Sequence, residues 1–182
     1  PEKRDWTVGD RDRYRNCIRD AVGYKHLRWD AADVTKLSSY IGRCKADLVR
    51  PGSERSKALA SQMFAWEASL ADRAYETAEG LRLVARLLTF DDMLIEAYGL
   101  LASGARMRWA AKYDYVIQDE CQDVNRAQNE LARMLAQDHS NYHVVGDPAQ
   151  TIYSFRGADP TYLLRFAADW QRAPLTPALS PA

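Results

Sequence analysis

Two short apolar runs, each ending in polar residues, organise the second half of the chain. They cover residues 115–117 and residues 144–145. Short apolar runs bounded by turn residues are typical of buried parallel strands. Residues 125–137, between the runs, place three apolar side chains on one helical face: Leu131, Met134 and Leu135. The pattern predicts a right-handed βαβ unit, with polar clusters at the carboxyl ends of its strands, where open α/β sheets bind ligands.

The preceding residues are predicted to be helical. A first helix ends at Gly23, Asp30 caps a second, residues 50–53 break the chain, and Gly80 interrupts or bends a third helical region. Thr89 caps a fourth helix, in which Asp92 completes a capping box. The packing positions follow helical spacing: Tyr14, Cys17, Ile18, Ala21 and Val22; Val34, Leu37, Ile41, Cys44 and Leu48; Leu59, Met63, Trp66 and Leu70; Met93, Leu94, Ala97 and Leu101.

Two further boundaries lie nearer the carboxyl terminus. Ser103-Gly104 is predicted to end the fourth helix, and Asp159-Pro160 to begin one that runs to about Trp170. Three prolines after position 173 predict a flexible tail, because prolines spaced this closely suit neither a helix nor a central strand.

The two polar clusters carry the chemistry of a nucleotide site. A hard Mg²⁺ ion prefers oxygen ligands, so Asp119 together with a nucleotide's phosphates would suffice to hold it. The adjacent Glu120 can orient or deprotonate an attacking water, with Gln122 just beyond it. Asp147 and Gln150 end the second strand near the same place.

An aromatic and basic segment follows the second cluster. Tyr153, Phe155 and Arg156 provide two rings and a guanidinium, which are groups that stack on single-stranded bases. The alternative is that the two rings are core residues.

Charge and cysteine content change this picture only slightly. The net charge is zero, but residues 1–57 hold 14 Lys and Arg against 9 Asp and Glu. A basic half can attract phosphate backbones, although a solvated helix surface of mixed charge explains any one of these residues as well. Cys17, Cys44 and Cys121 lack metal-ligand spacing and are expected to be ordinary buried thiols of a cytoplasmic protein. No apolar run approaches membrane-spanning length.

Three segments of the chain resemble motifs of a known family. IQDECQDVN and VVGDPAQTIYSFRGAD resemble motifs II and III of UvrD/Rep-type superfamily 1A DNA helicases, and TFDDML resembles a short motif upstream of them. The similarity extends from about Trp6 to Phe166. Gln118 stands where the family usually has an apolar residue, and it is expected to face solvent at its strand end. Phe155 stands where Trp is common in the family.

The resemblance implies a mostly helical α/β fold, with part of a RecA-like (P-loop NTPase) parallel sheet and a helical insertion. The predicted divisions are residues 1–104 for the insertion, residues 105–170 for the end of the RecA-like domain and residues 171–182 for the tail. It implies that Asp119 holds Mg²⁺, that Asp119, Asp147 and Gln150 bind ATP, and that Glu120 is the catalytic base. Gln122 and Gln150 would contact the attacking water or the γ-phosphate region.

The implied activity is ATP-driven translocation on single-stranded DNA and unwinding of forked duplexes, with DNA repair as the expected setting. The chain contains no Gly-Lys pair and therefore no P-loop, and the arginines that the resemblance implies in motifs IV and VI are also missing. This chain alone is therefore expected to be an inactive fragment whose partner is the remainder of a helicase. Two alternatives stay open, a non-catalytic module that binds single-stranded DNA and a helical interaction domain.

Overall fold

The protein is mostly helical and contains small parallel sheets. The computed structural model describes residues 5–24, 29–64, 67–138, 140–152 and 157–172. The helices in these ranges are α1 (Arg11–Tyr24), α2 (Ala31–Ala46), α3 (Glu54–Phe64), α4 (Ala68–Val84), α5 (Phe90–Leu100), α6 (Arg106–Ala110), α7 (Arg126–Ala136), α8 (Thr161–Leu164) and α9 (Phe166–Arg172). The strands are β1 (Thr7–Val8), β2 (Leu87–Leu88), β3 (Val116–Gln118) and β4 (Tyr142–Val144). The prediction of a mostly helical α/β fold is thus confirmed. None of these helices has the length and apolar character needed to cross a membrane.

The chain forms two compact units. The first comprises Pro1–Lys45 and Val49–Met93, and the second comprises Ala46–Leu48 and Leu94–Ala182. The functional division at residues 104 and 105 stays a prediction. Residues 173–182 of the predicted tail lie outside the described residues.

The core of the first unit is built by α1, α2, α3 and α4. All five apolar positions predicted for α1 are buried, and Ile18 and Ala21 are completely so. Asp30 caps α2, since its carboxylate accepts from the backbone N–H of Ala32 at 2.7 Å and of Asp33 at 3.0 Å. The predicted end at Gly23 was wrong, because α1 continues to Tyr24, and α4 passes through Gly80 without the interruption that was one of the two alternatives there.

The buried face of α3 differs from the predicted stripe. Ser56, Ala60 and Phe64 are the buried positions, while Leu59 and Met63 are only partly buried beside them. Two of the three buried positions, Ser56 and Ala60, hold small residues, which the apolar pattern alone does not reveal. Trp66 lies outside the described residues.

A buried group of charged side chains crosses the first unit. The ammonium of Lys45 lies 2.6 Å from a carboxylate oxygen of Asp92 and 2.7 Å from one of Glu79. The guanidinium of Arg82 lies 2.9 Å from the other oxygen of Glu79. Tyr14 donates its hydroxyl to Glu79, and burial, reinforced by that carboxylate, raises the pKa of Tyr14 well above its ordinary value.

Asp92 also makes the predicted capping box. Its second oxygen accepts from the backbone N–H of Thr89 at 2.9 Å, and the Thr89 hydroxyl accepts from the backbone N–H of Asp92 at 3.2 Å. The TFDDML segment therefore caps α5 and neutralises Lys45 with one carboxylate. Met93, which was predicted to pack inward, is 45% exposed.

The second unit contains the predicted βαβ arrangement. β3 and β4 pair in parallel, with Val116 opposite Tyr142 and Gln118 opposite Val144, and α7 connects them. A capping box of Asn125 and Gln128 fixes the start of α7. Met134 is buried, and Leu131 and Leu135 pack against the same core.

The strands are less buried than predicted. Tyr142 is 5% exposed and packs edge-to-face on Phe166 and Trp170, but Ile117 is 69% exposed and Val145 is 55% exposed. Within the second unit, the side chains of one face of this two-stranded sheet are thus covered and those of the other face are open. An apolar run makes a strand suitable for burial on both faces. It does not show whether other elements cover the second face of the sheet.

The predicted helix end at Ser103-Gly104 is present, but another boundary was wrong. A π-helical turn, Leu101–Ala105, follows α5, and Gly104 has non-helical backbone angles (φ 106°, ψ −4°) at the kink before α6. The predicted carboxyl-terminal helix is divided into α8 and α9 at Arg165. Asp159 does begin it, since its carboxylate accepts from the backbone N–H of Thr161 at 2.9 Å.

Candidate functional site

The chain turns sharply where β3 ends. Glu120 has left-handed backbone angles (φ 51°, ψ 41°), which are uncommon for a residue with a side chain, and a 3-10 turn, Cys121–Asp123, follows it. The carboxylate of Asp119 accepts from the backbone N–H of Glu120 at 2.9 Å and so stabilises the turn. Both side chains are exposed. The turn therefore presents two adjacent carboxylates to solvent.

Backbone hydrogen bonds hold this turn beside the end of β4. The N–H of Val145 donates to the carbonyl of Gln118 at 2.9 Å, and the N–H of Cys121 donates to the carbonyl of Val145 at 2.9 Å. The parallel pairing therefore extends beyond the strands into both polar clusters. The prediction that the clusters meet at one edge of the sheet is confirmed.

Gln122 joins the two clusters through its side chain. This side chain is 1% exposed. Its amide nitrogen donates to a carboxylate oxygen of Glu120 at 2.6 Å, and its amide oxygen accepts from the backbone N–H of Asp147 at 3.0 Å. Its predicted contact with water or phosphate stays a prediction, while in this structure both ends of the amide are engaged by the protein.

Asp147 organises the turn after β4. One carboxylate oxygen accepts from the backbone N–H of Ala149 at 3.0 Å, and the other from the side-chain amide of Gln150 at 2.9 Å. The Gln150 amide, with a smaller contribution from the Ala149 N–H, lowers the pKa of Asp147 below its ordinary value. The turn is exposed but internally bonded, so Gln150 is held in a defined place.

The predicted site residues thus form one connected group. Hydrogen bonds run from Asp119 to Glu120 through the backbone, from Glu120 to Gln122, from Gln122 to Asp147, and from Asp147 to Gln150. Whether each performs its predicted role in catalysis or nucleotide binding stays a prediction. Their proximity is a property of the fold.

Asp119 is the residue at this site that could hold a hard cation, through its single carboxylate. Among the described residues, no three His, Cys, Asp or Glu side chains come together as a metal site. Asp119 nevertheless suits Mg²⁺, because it is exposed and only one of its oxygens receives a hydrogen bond within the described ranges. Mg²⁺ bound to proteins with nucleotides commonly uses one or two carboxylates and keeps several waters.

The predicted nucleic-acid residues, Tyr153, Phe155 and Arg156, lie outside the described residues. Their described neighbours are held in place. The N–H of Ile152 donates to the Asp123 carboxylate at 3.2 Å, and Gly157 has a φ of 84°. Asp123 was not predicted to act on this segment, and its spacing in the sequence gives no such signal.

Two further features were missed by sequence reasoning. Gln118 is half-buried and accepts a short hydrogen bond from the Tyr142 hydroxyl, so it does not face solvent as predicted. Gly146 leaves space that a side chain would fill, since a Cβ there would lie 2.3 Å from the amide oxygen of Gln122. The Gly-Asp pair in the sequence signals a turn, but not this close approach.

Comparison with known proteins identifies the family. Residues 2–171 match the UvrD/REP helicase N-terminal domain. The chain belongs to the UvrD/REP helicase family. The resemblance carried by its three motifs is therefore confirmed.

The relatives are DNA helicases. The chain is 32% identical over 147 residues to the ATP-dependent DNA helicase Rep of Escherichia coli, which covers 78% of this chain and 20% of that protein. It is 31% identical over 170 residues to a probable DNA helicase II homolog of Mycoplasma capricolum, covering 90% of this chain and 23% of the relative. It is 27% identical over 172 residues to the ATP-dependent DNA helicase PcrA of Leuconostoc citreum, covering 93% of this chain and 22% of the relative. The chain thus spans about a fifth of the length of each of these relatives.

Proposed function

We propose that this chain acts as part of an ATP-dependent DNA helicase that couples ATP hydrolysis to translocation on single-stranded DNA and to duplex unwinding. In this proposal, the βαβ unit of the second compact unit is the end of a RecA-like domain. The helices of the first compact unit belong to a helical insertion. Membership in the UvrD/REP family and the helicase names of the relatives support the proposal.

The observation that carries the proposal is the hydrogen-bonded chain from Glu120 through Gln122 to Asp147 and Gln150. It brings an exposed carboxylate and an exposed amide from two neighbouring strand ends into one group. Such a group can hold a water near a terminal phosphate and also respond to that phosphate.

Each residue has a specific role in this proposal. Asp119 holds Mg²⁺ through water, and the ion would offset negative charge on the phosphates. Glu120 accepts the proton of the attacking water, and Gln150 contacts the γ-phosphate region. Asp147 orients Gln150. Tyr153, Phe155 and Arg156 contact single-stranded DNA, with the rings stacking on bases.

The test is a DNA-stimulated ATPase measurement on this chain joined to the remaining segments of a UvrD/REP helicase. Glu120→Gln is expected to lower kcat by about 10² or more, as for a lost general base, with nucleotide affinity largely intact. Glu76→Gln, a change of the same kind at an exposed position of α4, serves as the control. An unchanged kcat in Glu120→Gln would place the base elsewhere.

The 182 residues alone are proposed to hydrolyse no ATP, because they contain no Gly-Lys pair to form a phosphate-binding loop. Magnesium-dependent turnover by the purified chain that disappears in Glu120→Gln would contradict this. A cytoplasmic location accords with the proposed substrate and with the buried thiols of Cys17, Cys44 and Cys121.

A non-catalytic module that binds single-stranded DNA is the second candidate. Arg11, Arg15 and Arg19 favour it, since they are exposed along one face of α1 at intervals of four residues. Arg15 and Arg19 donate to the neutral side chains of Thr35 and Asn16. Oligonucleotide binding by the isolated chain that weakens with added salt would support this candidate, and no binding at low salt would exclude it.

A further inference from the structure

The side chain of Gln122 is placed between two groups with different predicted roles. Its amide nitrogen donates a hydrogen bond of 2.6 Å to the carboxylate of Glu120, and its amide oxygen accepts one of 3.0 Å from the backbone N–H of Asp147. At 1% exposure it has no free path to solvent. A buried amide with both ends bonded is costly to displace, because each unmade hydrogen bond leaves a desolvated polar atom.

Gly146 makes this placement possible. A Cβ at position 146 would lie 2.3 Å from the amide oxygen of Gln122 and 3.0 Å from the backbone nitrogen of Cys121. Gly146 is not among the residues with positive φ, so the backbone conformation does not require glycine there. The missing side chain is instead needed to admit the amide of Gln122.

The backbone around Gln122 is already fixed. The bonds from Val145 to Gln118 and from Cys121 to Val145 hold the strand ends at constant spacing. They leave the carboxylate of Glu120 free to rotate, since that side chain is exposed. The bond from Gln122 restricts this rotation and so links the carboxylate to the position of Asp147.

We propose that Gln122 is a positioning residue that makes the orientation of the Glu120 carboxylate depend on the loop of residues 146–150. This inference rests on the proposed function, in which Glu120 acts on water and Gln150 meets the nucleotide. A movement of the loop reaches Glu120 through two hydrogen bonds, from Asp147 to Gln122 and from Gln122 to Glu120. Gln150 sets the loop's position through its bond to the Asp147 carboxylate.

The link can be measured in the isolated chain by NMR, without nucleotide. Removing the acceptor with Glu120→Ala is expected to shift the side-chain amide resonances of Gln122. It is also expected to speed hydrogen exchange at the Asp147 backbone amide by about fivefold, as the loss of a supporting hydrogen bond implies. Glu120→Gln keeps an acceptor and should restore most of the protection. Asp114→Asn, an exposed carboxylate before β3, is the control and should leave exchange at Asp147 within about twofold of the original.

A second pair of variants separates coupling from simple packing. Gln122→Glu keeps an acceptor for the Asp147 N–H but has no donor for Glu120 and repels it. Protection at Asp147 should persist in this variant, and adding Glu120→Ala should no longer speed exchange there. The proposal is overturned if Glu120→Ala leaves exchange at Asp147 within twofold, or if its effect is the same with Gln122→Glu present.

The exchange measurement and the ATPase measurement can fail separately, so the link and the proposed function are tested independently. Coupling in the isolated chain together with an unchanged kcat for Glu120→Gln in the longer helicase would reject Glu120 as the base but keep the link. A reduced kcat without coupling would keep the base and reject the link.

Discussion

The ammonium of Lys45 lies 2.6 Å from the carboxylate of Asp92, and the two side chains are 1% and 2% exposed. Breaking a buried pair by removing one partner leaves an uncompensated charge, at a cost of about 3–5 kcal/mol. Lys45→Met is therefore expected to lower the free energy of unfolding by roughly that amount, as measured by denaturant titration. The remaining cation, Arg82, lies 3.4 Å from the same carboxylate oxygen of Asp92, but it is also bonded to Glu79 and to the carbonyl of Leu87, so one of the two carboxylates loses its counter-charge.

Lys57→Met is the matched control for this prediction. Lys57 lies 2.7 Å from Glu54, nearly the same separation, but the two side chains are 53% and 91% exposed. Exposed pairs contribute little to stability, since water screens them. Equal losses in Lys45→Met and Lys57→Met would show that burial of the first pair has no energetic consequence.

Gly146 and Gln122 are expected to be energetically coupled. Gly146→Ala should cost about 1–3 kcal/mol, because the new methyl group displaces the Gln122 amide. In a Gln122→Ala chain the same change should cost less by about 0.5 kcal/mol or more, since the nearest clashing atom is absent. Chemical denaturation of the four proteins of this cycle measures the difference. Strictly additive effects would contradict the close approach.

The left-handed backbone conformation of Glu120 is expected to lower the stability of the fold. A side chain in the left-handed region costs about 1–2 kcal/mol, and glycine avoids this cost. Glu120→Gly should therefore be more stable than Glu120→Ala by about 1 kcal/mol, because both variants lose the bond to Gln122 and only alanine keeps the strain. Thermal unfolding of the two variants tests this. A more stable alanine variant would indicate that the turn relaxes to another conformation.

The pKa of Asp147 is expected to depend on Gln150. Its value is lowered mainly by the Gln150 amide and then by the Ala149 N–H. Because the folded-state pKa lies below the unfolded one, this interaction stabilises the fold above about pH 4 and is lost as the pH falls through the folded value. Gln150→Leu should raise the pKa of Asp147 toward its ordinary value in a carbon-13 NMR titration. Gln137→Leu, at the end of α7, should not change it.

Phe155 is expected to stack on a base of single-stranded DNA. Removing one stacking ring costs about 1–3 kcal/mol of binding, with little dependence on base identity. In this chain joined to the remaining segments of a UvrD/REP helicase, Phe155→Ala should therefore weaken oligonucleotide binding. The melting temperature of the protein should change little. A loss of about 3–5 kcal/mol in stability with unaltered affinity per folded molecule would instead identify Phe155 as a core residue.

The local elements could be predicted from the sequence because their signals are local. The spacing of Tyr14, Cys17 and Ile18 predicts α1, and Asp30 and Thr89 cap the helices that follow them. Two apolar runs separated by a helical stretch predict the parallel pair and the edge where its polar ends meet. The local signal failed at Gly23, and Gly80 does not interrupt α4, because glycine is tolerated inside a helix when packing on the other face supports it.

The sequence by itself thus determined the βαβ unit, the family and the five polar residues of the candidate site. Only the tertiary structure decided how those residues are bonded. That Gln122 is buried between Glu120 and Asp147, that Gly146 makes room for it, and that Lys45 pairs with Asp92 all depend on contacts between separate elements. Such contacts arise from packing in three dimensions, whereas hydrophobic periodicity records only which side of one element faces a core.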